Sequence, residues 1–344
     1  MVPVYPPAAK ALRIIGGVKV SEIGEFGLIE RLTAKLAQPP GEDVIVGIGD
    51  DAAVWRAGDR AIMATTDTLV EGVHFLPSVA PRDVGWKALA VNVSDIAAMG
   101  GRPTFALVTL ALPPDAGLEE VEEMYDGLRR CAAAFGVEVV GGDVVSAPQV
   151  SITVALMGEA VVDSGEPLLL RRDAARPGDV IAVTGTLGGS AGGLRRLHDG
   201  ASTDDPLARM HLQPRPPLET AAAAIEAGIT CAIDVSDGLL QDIGHICERS
   251  DVSAIVGSND LPLSPELRKA YPDDALRLAV SGGEDYELVL VGTRKRIDKL
   301  VETTSAPLTS IGEIGPAADE RVTLVDEVGA VLTTPDGGWD HLRE

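Results

Sequence analysis

Six short segments of this chain combine acidic side chains with Gly, Ser or Thr and contain neither Lys nor Arg. They span residues 47–51, 65–68, 92–95, 141–143, 234–238 and 281–285. Most follow an apolar stretch typical of a β-strand, so we expect their carboxylates at strand ends, where loops carry function. Two carboxylates about 4 Å apart repel each other by roughly 4 kcal/mol at an effective dielectric constant near 20. The segments therefore predict either separately solvated acids or a group that cations hold together.

The six segments offer carboxylate and hydroxyl oxygens but neither His nor Cys. Hard oxygen ligands favour Mg²⁺, which commonly bridges protein carboxylates and substrate phosphates. Taken together, the segments predict a site for several metal ions and a phosphate compound. A single segment is unspecific, because Asp-Gly and Asp-Asp pairs mostly mark turns, and Ser236 and Asp237 could equally cap a helix.

The chain has 344 residues and a formal net charge of −23. This charge argues against nucleic acid and against a membrane surface as partners. The net charge fits an acidic site in which bound metal ions make the local charge positive, but a solvated acidic surface would give the same composition. The three cysteines lack metal-binding spacing and predict buried free thiols in the cytoplasm.

Hydrophobic periodicity predicts an α/β chain of one large or two medium domains. We expect residues 1–20 to form a flexible leader and the first helix to start near Glu25. Strands are predicted at 44–48, 60–66, 104–112, 137–140, 150–156, 179–184, 232–235 and 288–291. Helices are predicted at 81–99, 118–131 and 218–227, with a connector at 163–166 and an irregular stretch at 206–217.

The glycine-rich stretch at 185–193 leaves two interpretations open. It could bind a phosphate at a helix N-terminus, or it could be a tight turn between a strand and a helix, which we favour. The common phosphate-binding pattern Gly-x-x-x-x-Gly-Lys-Ser/Thr is absent from the chain.

The sequences and the order of these motifs closely resemble those of the thiamine-monophosphate kinases, which belong to the aminoimidazole ribonucleotide synthetase-like superfamily. The resemblance lies in residues 47–54, 65–75, 87–100, 141–143, 233–239 and 281–288, and it extends from about Glu25 to His341. The His-Phe pair at 74–75 and the Trp-Asp-His sequence at 339–341 fit this member of the superfamily. Selenophosphate synthetases usually carry a reactive Cys or selenocysteine near the N-terminus, whereas the first cysteine here is Cys131.

The resemblance implies a two-domain α/β (α+β) fold in which the N-terminal sheets of two chains pair across a homodimer. The expected boundaries are 1–20 for the leader, 21–162 for a metal-binding, ATP-binding and dimerisation domain, and 163–344 for a C-terminal α/β domain. The implied reaction is direct in-line transfer of a phosphoryl group from ATP to thiamine phosphate, assisted by several Mg²⁺ ions.

The resemblance also assigns roles to individual residues. The implied metal ligands are Asp51, Thr65, Thr66, Asp67, Asp95, Asp143, Asp234 and Asp237. The implied ATP contacts are Tyr125, Gly142, Asp143, Arg172 and Ser236. Arg171 is an alternative to Arg172. The implied contacts to thiamine phosphate are His74, Glu284 and Trp339, and the implied catalytic group is Asp67, Asp143 and Asp237.

Two other functions remain open at this stage. One is a related ATP-dependent synthetase that acts on another phosphorylated or amide acceptor, and the other is a nucleotide- or metal-binding regulatory protein without turnover. Trp339 and His74 favour the kinase over the synthetase. Acidic segments in both halves of the chain favour catalysis over binding alone.

Overall fold

The computed structural model describes residues 19–36 and 41–333. Helix α1 (Val20–Leu36) belongs to one compact unit and residues 41–333 to another. Helix α1 begins earlier than the predicted start near Glu25 and is kinked at Gly24, where φ is 69°. Glycine accepts this backbone angle without a steric penalty, so the helix continues across the kink.

The first sheet of the larger unit has six strands in the order β1-β2-β3-β6-β4-β5. The strands are β1 (Val44–Val46), β2 (Ala53–Ala57), β3 (Arg60–Val70), β4 (Arg102–Leu112), β5 (Glu138–Ser146) and β6 (Ser151–Glu159). All neighbouring strands are antiparallel except β4 and β5, which are parallel. Helix α3 (Leu118–Phe135) packs on helix α2 (Pro81–Ala98), so closely that a Cβ on Gly85 would lie 1.8 Å from the carbonyl oxygen of Met124.

The strands of this sheet run through two of the acidic segments. Asp67 lies inside β3, paired with Val154, and Asp143 lies inside β5, paired with Thr109. The prediction that these two carboxylates sit at strand ends was therefore wrong. Pairing with neighbouring strands extends both strands past the point where residue propensities favour a turn.

The second sheet also has six strands, in the order β10-β12-β9-β13-β11-β14. Its strands are β9 (Val180–Thr184), β10 (Cys231–Asp234), β11 (Val252–Gly257), β12 (Leu288–Gly292), β13 (Leu308–Pro316) and β14 (Val322–Val325). The remaining helices are α4 (Gly189–His198), α5 (Pro206–Leu212), α6 (Leu218–Ala227), α7 (Leu239–Ser250), α8 (Pro265–Ala270), α9 (Ala275–Ser281) and α10 (Arg294–Thr303).

Two stretches predicted to lack regular structure are ordered elements. Residues 163–166 form the turn of a small hairpin between β7 (Val161–Asp163) and β8 (Glu166–Leu168). Residues 206–212 form helix α5, because Asp205 accepts hydrogen bonds from the backbone N–H groups of Leu207 and Ala208. Pro206 occupies the first turn of this helix, where proline is favoured rather than disruptive.

Helix α2 is enclosed by protein along almost its whole length. Every residue from Asp83 to Ala98 except Asp95 is buried. Ala97 and Ala98 belong to the same apolar cluster as Ala182 and Leu290 of the second sheet. The helix therefore connects the cores of the two sheets and leaves Asp95 as its partly exposed side chain.

The three cysteines are buried and free, as the sequence predicts. No helix among the described residues is long and apolar enough to cross a membrane.

Candidate active site

Three carboxylates from distant parts of the chain meet beside helix α2. Asp51 follows β1, Asp95 lies on α2 and Asp234 ends β10, and one oxygen of each lies within 4.8 Å of the other two. Ser94 Oγ donates a hydrogen bond of 2.6 Å to Asp234, and Thr65 Oγ1 donates one of 2.5 Å to Asp95. These hydroxyls hold two of the three carboxylates in place, and we call the three acids the carboxylate cluster.

The carboxylate cluster is electrostatically unfavourable when all of its members are ionised. Desolvation, followed by repulsion from Asp67, Asp234 and Asp51, raises the pKa of Asp95 well above its usual range. Desolvation and then Asp51 raise the pKa of Asp234 to about 7. A bound cation would reverse this repulsion, and carboxylate and hydroxyl oxygens are the donors that Mg²⁺ prefers. The donor set therefore fits a magnesium site.

Asp67 approaches the cluster from strand β3. Its backbone N–H donates a hydrogen bond of 3.1 Å to the side-chain oxygen of Asn92, and the Asn92 amide donates to the carbonyl of Ala88 at 3.0 Å. Asn92 is fully buried, so this hydrogen bond holds β3 against α2. The charge of Asp67 contributes to the raised pKa of Asp95. Asp67 therefore adds its charge to the acidic surroundings of Asp95.

One arginine lies directly against these acids. Arg172 donates from Nε to Asp51 at 3.2 Å, and its backbone N–H donates to Asp50 at 3.3 Å. Burial lowers the pKa of Arg172, but Asp51, Asp234 and Asp50 together raise it above its usual value, so the guanidinium stays charged. Its neighbour Arg171 forms an ion pair with Asp173 instead. Of the two arginines that the sequence leaves open, the structure brings Arg172 to the site.

A second acidic group lies at the start of helix α7. Asp237, Asp242 and His245 each place one ligand atom within 4.8 Å of the others. Asp242 also accepts a hydrogen bond of 3.0 Å from the backbone N–H of Gly238. Of these three residues, only Asp237 was predicted from the sequence. Asp242 and His245 are three residues apart and hence share a helix face, which is a signal that could have found them.

Asp143 lies apart from the other acids of its own chain. Asp67 pairs with Val154, which pairs with Val108, and Val108 in turn pairs with Gly142. The register therefore aligns Asp67 with Gly142, and Asp143 is one residue further along β5. Successive residues of a strand point to opposite faces, so Asp143 points away from the face that carries Asp67. Three strand spacings also separate β3 from β5, which corresponds to about 14 Å. The structure therefore does not bring Asp143 to the carboxylate cluster within one chain.

Two further predicted residues also lie away from the cluster. Thr66 alternates with Thr65 and Asp67 along β3, is exposed, and donates its hydroxyl to the carbonyl of Val154 at 3.1 Å. Tyr125 lies on α3, and its side chain is 37 % exposed. The roles predicted for them remain predictions.

Two of the three residues predicted to contact thiamine phosphate, His74 and Glu284, can be placed in the structure. Glu284 forms an ion pair of 2.8 Å with Lys87 on α2, and its backbone N–H donates to the carbonyl of Ser236 at 2.7 Å. His74 accepts a hydrogen bond from the backbone N–H of Val70 at Nδ1, which leaves the proton on Nε2. Trp339 lies outside the described residues. Lys87 was not predicted as a site residue, although a lysine within an apolar helix face requires a buried partner.

The glycine-rich stretch at 185–193 is a turn closed by an internal carboxylate. Asp285 accepts hydrogen bonds from the backbone N–H groups of Gly188 at 2.6 Å and Ser190 at 3.0 Å. The start of helix α4 is thereby satisfied by the chain itself, so the structure supports the tight turn over phosphate binding.

Metal-free protein is expected to melt at a higher temperature near pH 6.5 than near pH 8. Burial raises the pKa of Asp285 from 3.8 to about 7 and that of Glu287 from 4.5 to about 7. A group whose pKa is higher in the folded state stabilises the fold below its unfolded pKa, and this contribution disappears as the pH rises through about 7. Burial lowers the pKa of His211 to about 3, so the fold loses stability as the pH falls below the ordinary pKa of histidine. This loss opposes the stabilisation from Asp285 and Glu287 at lower pH, and the melting temperature should therefore not keep rising below about pH 6.5.

Thermal melts in EDTA across this pH range would measure the effect. A melting temperature that stays constant or falls towards pH 6.5 would contradict it. Glu287→Gln removes one titrating group and should show a weaker pH dependence than the parent protein.

With this geometry in place, the chain can be compared with known proteins. The N-terminal domain of AIR synthase related proteins matches residues 49–160, and the C-terminal domain matches residues 176–325. The chain is 37% identical to the thiamine-monophosphate kinase of Aquifex aeolicus over 331 residues, which cover 94% of this chain and 100% of the relative. It is 38% identical to that of Escherichia coli K12 over 328 residues, which cover 92% and 98%.

A solved structure of AaThiL complexed with AMPPCP and TMP superimposes with a TM-score of 0.82 at 34% identity, over 94% of this chain and 99% of the other. The two family matches include five of the six acidic segments in full and part of the first. The chain belongs to the thiamine-monophosphate kinase family of the AIR synthase related proteins.

Proposed function

We propose that this chain transfers the γ-phosphoryl group of ATP to thiamine monophosphate, giving ADP and thiamine diphosphate. The observation that carries the proposal is the carboxylate cluster beside the charged Arg172, which provides both metal ligands and a phosphate clamp. Family membership and the AMPPCP and TMP bound to AaThiL support the identity of the two substrates.

The chemistry of the acceptor explains the composition of the site. The phosphate of thiamine monophosphate is already a good nucleophile at neutral pH, so a strong general base is unnecessary. The main obstacle is repulsion between two polyanions, which positioning and positive charge must overcome. When bound, Mg²⁺ would supply that charge, and Asp51, Asp67, Asp95 and Asp234 would hold it, with Asp237 serving a further ion.

The remaining residues would hold the two substrates. Arg172 would form paired hydrogen bonds to a phosphate of ATP, as a planar guanidinium does well. His74 would donate from Nε2 to the phosphate of the acceptor, and Glu284 would contact its organic part. Trp339 and Ser236 keep the substrate contacts predicted from the resemblance.

We also propose that the protein acts as a homodimer whose active sites use residues of both copies. Every residue of β5 is exposed at the edge of the first sheet, and Val140 and Val144 are 55% and 67% exposed. An apolar edge strand is a surface that favours pairing with another chain. Because Asp143 points away from its own cluster, we infer that it and Gly142 complete the site of the partner subunit. The domain boundary at 162/163 and the cytoplasmic location remain proposals as well.

A coupled assay for ADP tests the proposed reaction. Thiamine monophosphate should support turnover with ATP and Mg²⁺, free thiamine should not, and EDTA should stop the reaction until Mg²⁺ is restored. Product analysis should show thiamine diphosphate. Turnover with an aminoimidazole-type acceptor but not with thiamine monophosphate would favour the synthetase instead, and ATP binding without turnover on any acceptor would favour a regulatory protein.

Magnesium and a non-hydrolysable ATP analogue together are expected to raise the melting temperature. Ligands that bind only the folded state stabilise it by about 2.7 kcal/mol at a hundred times their dissociation constant. In this protein they would also remove repulsion within the carboxylate cluster. Calorimetric or fluorescence melts with each ligand alone and with both would measure the effect, and an unchanged melting curve with both would argue for scattered, solvated acids.

A further inference from the structure

Glu284 belongs to a buried group of four polar side chains. Lys87 Nζ lies 2.8 Å from Glu284 Oε1 and 3.3 Å from His211 Nε2. His211 Nδ1 lies 3.3 Å from Glu284 Oε2 and 2.9 Å from Ser190 Oγ. Lys87 and His211 are almost inaccessible, whereas the Glu284 side chain is 27% exposed. The carboxylate is therefore the member of this group that a ligand can reach.

The hydrogen-bond donors in this group determine where the protons lie. An ammonium group has only donors, so Lys87 requires an acceptor at His211 Nε2. The imidazole proton must then lie on Nδ1, which forms a hydrogen bond with Ser190 Oγ and lies 3.3 Å from Glu284 Oε2. Burial, followed by the charge of Lys87, lowers the pKa of His211 to about 3, which agrees with a neutral ring. Glu284 thus has the Lys87 ammonium group at one oxygen and the His211 ring at the other.

The same contacts determine the charge of Glu284. Burial by itself would raise the pKa of Glu284, but Lys87 and then His211 lower it below its usual range. The backbone around the carboxylate is fixed as well. Glu284 has a φ of 64°, a conformation that non-glycine residues rarely adopt, and its N–H is bound to the carbonyl of Ser236. The side chain is therefore both ionised and restricted in direction.

We infer that Lys87 and His211 are positioning residues that hold Glu284 as an ionised hydrogen-bond acceptor for the amino group of the aminopyrimidine ring of thiamine monophosphate. This inference rests on the proposed function. An ionised carboxylate has no proton to donate, so it selects N–H donors and rejects groups with only lone pairs. A site that requires a donor discriminates strongly against an analogue that lacks it, because a buried acceptor would remain unpaired.

The test compares variants of His211 on two acceptors. His211→Ala removes the ring that lies against Lys87 and Glu284, and it should raise the KM for thiamine monophosphate about tenfold while leaving the KM for ATP unchanged. His211→Asn keeps an N–H donor near the Nδ1 position and should restore much of the affinity. His198→Ala is the matched control, since His198 is an exposed histidine at the end of α4, and it should leave both constants unchanged.

The second acceptor is an analogue of thiamine monophosphate in which hydrogen replaces the pyrimidine amino group. The parent protein should bind this analogue more weakly, and His211→Ala should bind it as well as the parent does. A purely structural role of His211 would instead impair both acceptors and ATP equally, and this result would overturn the inference. A tenfold effect of His211→Ala that persists with the analogue would also overturn it.

Lys87→Met provides an independent variant if His211→Ala fails to fold. It removes the cation while keeping the length of the side chain, and calorimetry should show weaker binding of thiamine monophosphate with unchanged binding of the non-hydrolysable ATP analogue. Unchanged binding of thiamine monophosphate would contradict the inference. If the parent protein does not phosphorylate thiamine monophosphate at all, the proposed function fails, whereas turnover by the parent with insensitive variants refutes the positioning roles alone.

Discussion

Asp95→Asn is expected to lower kcat by about a hundredfold or more at saturating Mg²⁺, ATP and thiamine monophosphate. Asp95 is the one partly exposed residue in the buried stretch 83–98, where it forms the carboxylate cluster with Asp51 and Asp234 and is repelled by Asp67. The amide keeps the size of the side chain and an oxygen that can accept the hydrogen bond from Thr65. It removes the negative charge that would hold a metal ion.

Stability should respond in the opposite direction. In EDTA, the melting temperature of Asp95→Asn should equal or exceed that of the parent, because one of several repelling charges is gone. Asp83→Asn is the matched control, since Asp83 is a buried aspartate on the same helix that binds Gln213 and lies outside the cluster. Near-normal turnover of Asp95→Asn would refute its role as a metal ligand, and equal losses in both variants would mean general damage to α2.

Asp143→Asn should also be almost inactive, yet a heterodimer of one Asp143→Asn chain and one Asp95→Asn chain should recover about half of the parent activity. If Asp143 completes the site of the partner subunit, one of the two sites in this heterodimer combines two intact halves and the other combines two defective ones. Co-expression with two different tags and sequential purification would isolate it, and steady-state assays would measure the recovery.

The control is each variant homodimer purified through the same two tags. Light scattering should confirm that the preparations are dimers. A heterodimer no more active than its parents would show that Asp143 acts within its own chain or not at all, and a monomeric parent protein with full activity would refute the shared site.

The sequence predicts the elements with clear periodicity and misses those that depend on contacts. Helix α6 at Leu218–Ala227 has the predicted ends, because its apolar repeat and the following Gly228 are local signals. Helix α5 was missed because the four prolines of residues 206–217 suggested an irregular stretch, and the helix depends on the cap at Asp205.

In the candidate site, too, some residues were predictable from the sequence and others depend on contacts between distant parts of the chain. Asp51, Asp95 and Asp234 were predictable from residue type and resemblance, and the structure brings them together. The separation of Asp143 depends on strand register, which no local pattern encodes. Lys87 and His211 become meaningful only through their contact with Glu284, since they come from helices far apart in the sequence.

The burial of α2 between two sheets also limits how this protein can be divided. The family profiles describe an N-terminal and a C-terminal domain, which suggests two modules that could be expressed or recombined separately. Ala97 and Ala98, however, complete the apolar core beneath the second sheet, and Ser94 holds Asp234 at its edge. A C-terminal fragment would lack part of its own interior, and an N-terminal fragment would expose that surface to water. Exchange of domains between relatives should therefore succeed only when α2 and the second sheet come from the same parent.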